Sequence, residues 1–328
     1  MANFVGLAAG RRAVLLRRGW DVEQQGLQDA PRVRVIVGGE AHVTATVALQ
    51  MLGFGTQTLE RVPTDDQGRM RPEELERVLA SGDMDAPLIV SAQVGNVNTG
   101  ACDDIAAIAD ILHRRDGTWL HVDGAFGLWA RVDAQRRQLV NGLDLADSWA
   151  SDLHKWLNVP YDSGLVIVRD AAAHRGSMIL SAAYLTAAAA DERDPQLYVP
   201  DSSRRARGFA VYAALRSLGR KGVADLVDRC CALAARFAER LAREPGVEVL
   251  NDVVLNQVLV RFGNSDEVTR DVIRRVQEDG TCWLGGTLWH GVAAMRISVS
   301  NWSTTEHDID ISGDAIVRCF RAAQSSAN

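Results

Sequence analysis

Short β-branched runs alternate with helical stretches through the first half of this chain, and few folds satisfy that alternation. Residues 33–37 read Val-Arg-Val-Ile-Val, 88–91 Leu-Ile-Val-Ser, 119–123 Trp-Leu-His-Val-Asp and 164–168 Gly-Leu-Val-Ile-Val, with a further strand-like run over 56–62. Between them the apolar spacing predicts helices over 44–52, over 72–80 with a proline at its start, and over 103–115. Strands this short and apolar are buried on both faces. The pattern therefore predicts an α/β fold, a mostly parallel sheet with helices on both faces. In such sheets ligands bind beyond the carboxyl ends of the strands.

The second half has a different texture. Residues 182–200, rich in Ala, Asp and Pro, show weak periodicity and predict a mobile loop. Helices are expected over 204–218 and 223–243. Strands over 247–250 and 255–262, a helix over 267–277, a strand over 294–300 and a helix over 306–322 then read as a small C-terminal α+β unit. The expected division is a large domain over 1–220 and a small one over 221–328. At the other end, Phe4, Leu7, Val14 and Leu15 predict an amphipathic helix that starts almost at residue 1. Its positive charges follow the apolar part, which is the wrong order for a secretory signal.

Composition narrows the function classes. The 328 residues, 47% hydrophobic, suffice for a sizeable core. A net charge of −6 argues against nucleic acid or an anionic membrane as partner. No apolar run reaches the ~18 residues of a membrane helix. The five cysteines are odd in number, two are adjacent, and no C-x-x-C occurs, so neither a disulfide framework nor a zinc knuckle is suggested and a reducing cytoplasm is expected. All but two of the 36 basic residues are arginine; the exceptions are Lys155 and Lys221. Where arginine supplies the ordinary solvated charge, a retained lysine points to amine chemistry. A guanidinium cannot lose its proton and add to a carbonyl.

Lys155 stands in Ser151-Asp-Leu-His-Lys-Trp156 among apolar and aromatic neighbours, where a desolvated amine becomes nucleophilic. Lys221, in a polar helix connection, reads as a surface charge. Asp123 ends a predicted strand, and its carboxylate needs a partner at the strand tip, either functional or as a cap or ion pair. His42 follows a strand and opens a helix, so it either reaches a ligand or caps the helix. Asn96-Val-Asn98-Thr99-Gly100 offers amides and a hydroxyl to an anion, or is a plain turn. Gly53-Phe-Gly55 is too sparse for a dinucleotide fingerprint. His121 and Asp123 are read as facing opposite sides of their strand, so no metal centre is expected.

These segments resemble the group II pyridoxal-phosphate-dependent amino acid decarboxylases, which include aromatic amino acid, glutamate and diaminobutyrate decarboxylases. The resemblance rests on His121-Val-Asp-Gly-Ala-Phe-Gly127 and on Ser151 to Trp156, and extends through Gly38 to His42, Gly95 to Gly100, Asn158 to Asp162 and Ser203 to Gly208. It implies the fold-type-I architecture of pyridoxal-phosphate-dependent transferases, a pyridoxal 5'-phosphate cofactor, an L-amino acid substrate decarboxylated to amine and CO2, and a homodimer. By that resemblance Lys155 would form an aldimine with the cofactor aldehyde and Asp123 would pair with the pyridine nitrogen. Ala125 would lie under the ring, and His42 would stack on its other face and help orient the substrate. His154, with Asn98 or Thr99, would contact the phosphate or the substrate. A loop tyrosine that protonates Cα matches Tyr198 or Tyr184, with Tyr198 preferred. Arg205, Arg207 or, more distantly, Arg296 would meet a carboxylate or serve as surface charges.

In the family a Ser/Thr-Gly-rich phosphate loop precedes the helix that matches residues 3–18. That loop and the segment before it are expected either to lie upstream of Met1 or to be missing from a fragment of impaired activity. Transamination or carbon–carbon lyase chemistry on the same cofactor stays open, as does an inactive chain serving as a dimerisation partner.

Overall fold

The β-branched runs pair side by side. β1 (Arg34–Gly38), β2 (Glu60–Val62), β3 (Leu88–Gln93), β4 (Thr118–Asp123), β5 (Ser148–Asp152) and β6 (Gly164–Val168) form one sheet in the order β2-β1-β3-β4-β5-β6, in a computed structural model that describes residues 1–178, 194–201 and 203–327. The first five strands run parallel, and β6 returns antiparallel to β5. Helices α1 (Ala2–Leu16), α2 (Val22–Gln25), α3 (Val43–Met51), α4 (Pro72–Ala80), α5 (Ile105–Leu112), α6 (Ala171–Met178) and α7 (Gly208–Ala242) accompany it. Side chains alternate between the two faces. Val35, Val37, Ile89 and Trp119 pack with residues of α1 and α3 on one side. Ile36, Val90, Leu120 and Val122 pack with α4, α5 and α7 on the other.

A second sheet, β7 (Val247–Val249), β8 (Gln257–Phe262), β10 (Val292–Ser298) and β9 (Gly285–Trp289), is antiparallel throughout. With α8 (Asp266–Asp279) and α9 (Glu306–Ala327) it makes the expected α+β unit. Its Val258, Val260, Met295 and Phe320 join the same apolar cluster as Val90 and Val122, so one core runs beneath both sheets.

Several elements depart from the sequence reading. β5, Ser-Trp-Ala-Ser-Asp, carries no β-branched residue and is not predicted; it forms because its polar groups find partners, the Ser148 hydroxyl accepting from Trp119 Nε1 at 2.9 Å. A Gly-Gly pair hides β9. The strand expected over 56–62 is a 3-10 turn at Thr56–Thr58 followed by only three strand residues. The two helices expected after residue 204 form one run, α7, broken at Gly219 (φ 61°). Within the predicted loop, Pro195–Tyr198 is a 3-10 turn, and residues 182–193 lie outside the described residues.

The largest departure is α1. The sequence predicts an amphipathic helix, yet nine of its residues, Gly6, Ala8, Ala9 and Gly10 among them, are buried. Its small residues let it sink against β4 and β5 under α3 and α6. A Cβ on Gly10 would lie 2.7 Å from the fully buried Trp119 indole. Gly10→Ala gains up to about 1 kcal/mol of helix propensity but overpacks a rigid wall at about 1–3 kcal/mol. Net destabilisation is the expected result, read as a lower urea midpoint with an unchanged slope.

Candidate active site

The carboxyl ends of β3, β4 and β5 lie side by side, with Gln93 in register with Asp123 and Asp123 with Ala150. His121 and Asp123 face the same side, toward α1. This corrects the expectation of opposite faces, because a period of two returns a strand to the same face. Asn3, in the first turn of α1, meets both residues: its Nδ2 donates to Asp123 Oδ2 at 3.0 Å, and its Oδ1 lies 3.0 Å from His121 Nε2. Asp123 is 5% exposed, and burial pushes its carboxyl above the usual range while the Asn3 bond opposes that rise.

Asp123, Ala125, Phe126, His42, Gln93 and Lys155 line one cleft. Lys155 Nζ stands 2.8 Å from Asp152 Oδ2 and 4.8 Å over the Phe126 ring. The sequence predicts an amine isolated among apolar groups. The structure instead gives it a carboxylate three residues back in the same turn. His42 has a structural place and a position at the cleft. It caps α3, its Nδ1 accepting from Thr44 N at 3.3 Å, and it borders the cleft, where burial lowers its pKa and favours the neutral ring. Its backbone N–H donates to Gln93 Oε1 at 2.9 Å, and Gln93 N donates to Asp103 Oδ2 at 2.7 Å.

Other sequence candidates fall elsewhere. His154 lines a neighbouring cavity of about 880 Å³ together with Met1 and Ala2 at the start of α1, and its ring lies 4.2 Å from that of Tyr161. Thr99 is fully buried, its hydroxyl donating to Gln67 O at 2.7 Å and accepting from Ala101 N; it builds a turn and does not reach the cleft. Asn98 is buried in that turn, its N–H bonded to Asn96 Oδ1 at 2.8 Å. The Tyr198 ring packs edge-on against His174 of α6, 5.1 Å away, and is not among the residues lining the cleft. Tyr184 lies outside the described residues. Arg207 forks onto Asp162 with both contacts at 3.0 Å, and Arg205 joins the same carboxylate at 3.6 Å, so two guanidiniums share one carboxylate; both line the large cavity with His154 and not the cleft. Arg296 of β10 borders the group instead. Its Nη1 reaches Val97 O at 3.3 Å, it makes no ion pair among the described residues, and it lies near enough to His42 to act on its charge. Lys221 is exposed on α7, as expected.

Sequence reasoning missed Asn3, Gln93 and the pairing role of Asp152. Gln93 and Asp152 each end a strand, where a polar residue is a candidate. Asn3 gave no comparable signal beyond the Gly6-x-x-x-Gly10 spacing that brings its helix close.

Asp103, behind Gln93, accepts N–H groups from both Met70 and Gln93. Burial pushes its carboxyl from 3.8 up to about 6 against those two bonds. The folded chain therefore takes this proton before the unfolded chain does. Through this group stability grows as pH falls from about 6 to about 4, and is lost as pH rises through about 6. Asp103→Asn cannot titrate. In urea melts the stability of wild type minus that of the variant should increase toward the acid end of this window.

Residues 1–263 match the pyridoxal-dependent decarboxylase conserved domain. The chain is 31% identical over 241 residues to the acidic amino acid decarboxylase GADL1 of Bos taurus, covering 70% of this chain and 45% of that protein. It is 30% identical over 316 residues to the cysteine sulfinic acid decarboxylase of Mus musculus, covering 88% and 63%. The chain thus spans about half to two thirds of the length of these relatives. The structure of mouse CSAD in apo form superposes with a TM-score of 0.87 at 25% identity, over 97% of this chain and 70% of that one. With a cleft that joins a lysine, a buried aspartate and a capping histidine at the strand ends, and with most of its length matched, the chain belongs to the pyridoxal-dependent decarboxylase family.

Proposed function

We propose that this chain is a pyridoxal-phosphate-dependent carboxy-lyase that converts an L-amino acid to its amine and CO2. The observation that carries the reading is the cleft in which Lys155 and the buried Asp123 carboxylate meet beside His42. The residues fit the cofactor. A buried anion suits a protonated ring nitrogen, and the small Ala125 side chain borders the same cleft. The adjoining cavity, with His154 and the start of α1, suits a phosphate dianion. Bound there, the cofactor supplies an electron sink for the pair left at Cα when CO2 departs.

The chain's own residues prepare that step. Asp152 Oδ2, 2.8 Å from Lys155 Nζ, would orient the lysine in the cleft, and Lys155 would hold the cofactor through its aldehyde. Asp123 would keep the ring nitrogen protonated. His42, neutral and held by Gln93, forms a wall of the cleft without adding charge. Arg296, whose guanidinium is only partly compensated, would hold a substrate carboxylate.

The reading extends to the assembly. We place the boundary between a large cofactor domain and a small C-terminal domain at 220/221, next to the break at Gly219. A homodimer is supported by two open apolar stripes: Val43, Val47 and Met51 beside His42, and Phe209, Tyr212 and Leu215 on α7. A cytoplasmic setting is supported by five free cysteines. Among the described residues no helix is long and apolar enough to cross a membrane.

The test is direct. With pyridoxal phosphate the chain should develop the visible absorbance of lysine-bound cofactor, and Lys155→Ala should lack it. Carboxylate-bearing amino acids should yield amine and CO2 without a keto acid acceptor; a requirement for the acceptor would assign transamination instead. Arg296→Gln should weaken amino acid binding about tenfold, while leaving the absorbance of bound cofactor in place.

A further inference from the structure

Asp123 ends a largely buried chain of hydrogen bonds that runs through the half-buried Asn3, His121 and Ser148 to Trp119, and the chemistry of each member fixes where its proton sits. Asn3 turns Nδ2–H to Asp123 Oδ2 (3.0 Å) and its carbonyl oxygen to His121 Nε2 (3.0 Å), the orientation that suits an ionised carboxylate, which only accepts. That carbonyl also only accepts, so His121 carries its proton on Nε2. Its Nδ1 then offers a lone pair, which takes the Ser148 hydroxyl proton at 2.8 Å. The Ser148 oxygen accepts in turn from Trp119 Nε1–H at 2.9 Å, since an indole nitrogen only donates. The alternative acceptor for Ser148, Gly6 O, is 3.5 Å away and too far to compete. Every donor in the chain points toward Asp123.

His121 has no exposed surface, and burial pushes its pKa down to about 3, so the ring is the neutral form the chain requires. Gly6 permits the arrangement, because a Cβ there would lie 2.8 Å from His121 Cε1. Asp123 needs such support: burial favours its protonated form, and a protonated acid could not pair with a ring N–H⁺. The charged or titratable groups that face it from other elements are His42, Asp152 and Lys155.

We infer that Asn3, His121 and Ser148 are positioning residues, a one-way relay of hydrogen bonds that holds Asp123 ionised from behind and leaves its Oδ1 to face the cleft. Oδ1 keeps only a longer contact with Ala125 N, at 3.3 Å. Aligned donors polarise one another, so the last bond, onto the carboxylate, gains from those before it. The inference rests on the proposed function in one respect, that the partner of Oδ1 is the cofactor's ring nitrogen.

Two measurements decide it. Nitrogen-15 NMR of the unloaded, histidine-labelled chain should show His121 protonated on Nε2 alone, with no titration between about pH 5 and about pH 8. A proton on Nδ1, or a doubly protonated ring at neutral pH, would overturn the relay. Asn3→Leu, similar in size, removes both contacts at once. It should raise the dissociation constant for pyridoxal phosphate about tenfold and make binding fail at higher pH as the solution is acidified. Unchanged affinity and pH dependence in a folded Asn3→Leu chain would sink the positioning role. Should that variant not fold, the wild-type tautomer still decides the direction of the relay. Lack of visible absorbance in the wild type would count against the proposed function alone, because the tautomer is read without cofactor.

Discussion

Helix α1 lies against β4 and β5 at a separation that only glycine allows, and the site depends on that contact. Gly6 faces His121 and Gly10 faces Trp119; a methyl group at either would meet ring atoms within 3 Å. Lifting the helix to make room would carry Asn3 away with it. The 3.0 Å contacts to Asp123 and His121 would be lost, and a buried carboxylate would lose the strongest contact that opposes its burial. The same contact brings the start of α1 beside His154, where a helix terminus and an imidazole border one cavity. Packing and electrostatics are thus set by the same two missing side chains.

The charges gathered at the strand ends come from both sheets. Asp123 and Asp152 end neighbouring strands, Lys155 follows in the next turn, and Arg296 arrives from β10 of the second sheet. Each of these two carboxylates and two cations offsets part of the burial cost of its neighbours. Asn158 ties the lysine turn to the second sheet's far loop, donating to Ser300 O at 3.0 Å and accepting from Trp302 N at 3.4 Å. One apolar core beneath both sheets, together with the Asn158 bonds, ties the small unit to the turn that carries Lys155.

The β-branched strands and the residues at their tips were legible because one chemical need dominates each. Val35 to Val37 and Leu88 to Val90 have no use outside a buried sheet, and Lys155 stands out because almost every other cation is arginine. What stayed hidden depends on partners distant in the chain. β5 is polar by composition and becomes a strand only once Trp119 and His121 meet Ser148. Thr99 looks like an anion ligand until Gln67 takes its hydroxyl. Asn3 is an ordinary helical residue in the sequence, and its contact with Asp123 spans 120 positions. Tyr198 sat in a loop-like segment that the sequence left without a register, and its packing against His174 follows from where α6 lies.

Two buried aspartates in this fold show how function separates from structure. Asp103 and Asp123 are equally inaccessible, and burial raises both carboxyls. Asp103 spends each oxygen on a short backbone N–H bond, to Met70 and to Gln93, both at 2.7 Å. It does not line the cleft, and it acts as a strut between a loop and a strand end. Asp123 is held firmly at one oxygen by a side-chain amide and only loosely at the other. A carboxylate satisfied on one side and open on the other costs free energy in the unloaded fold. Under the proposed function, a cationic ring nitrogen at the open oxygen would recover part of that cost.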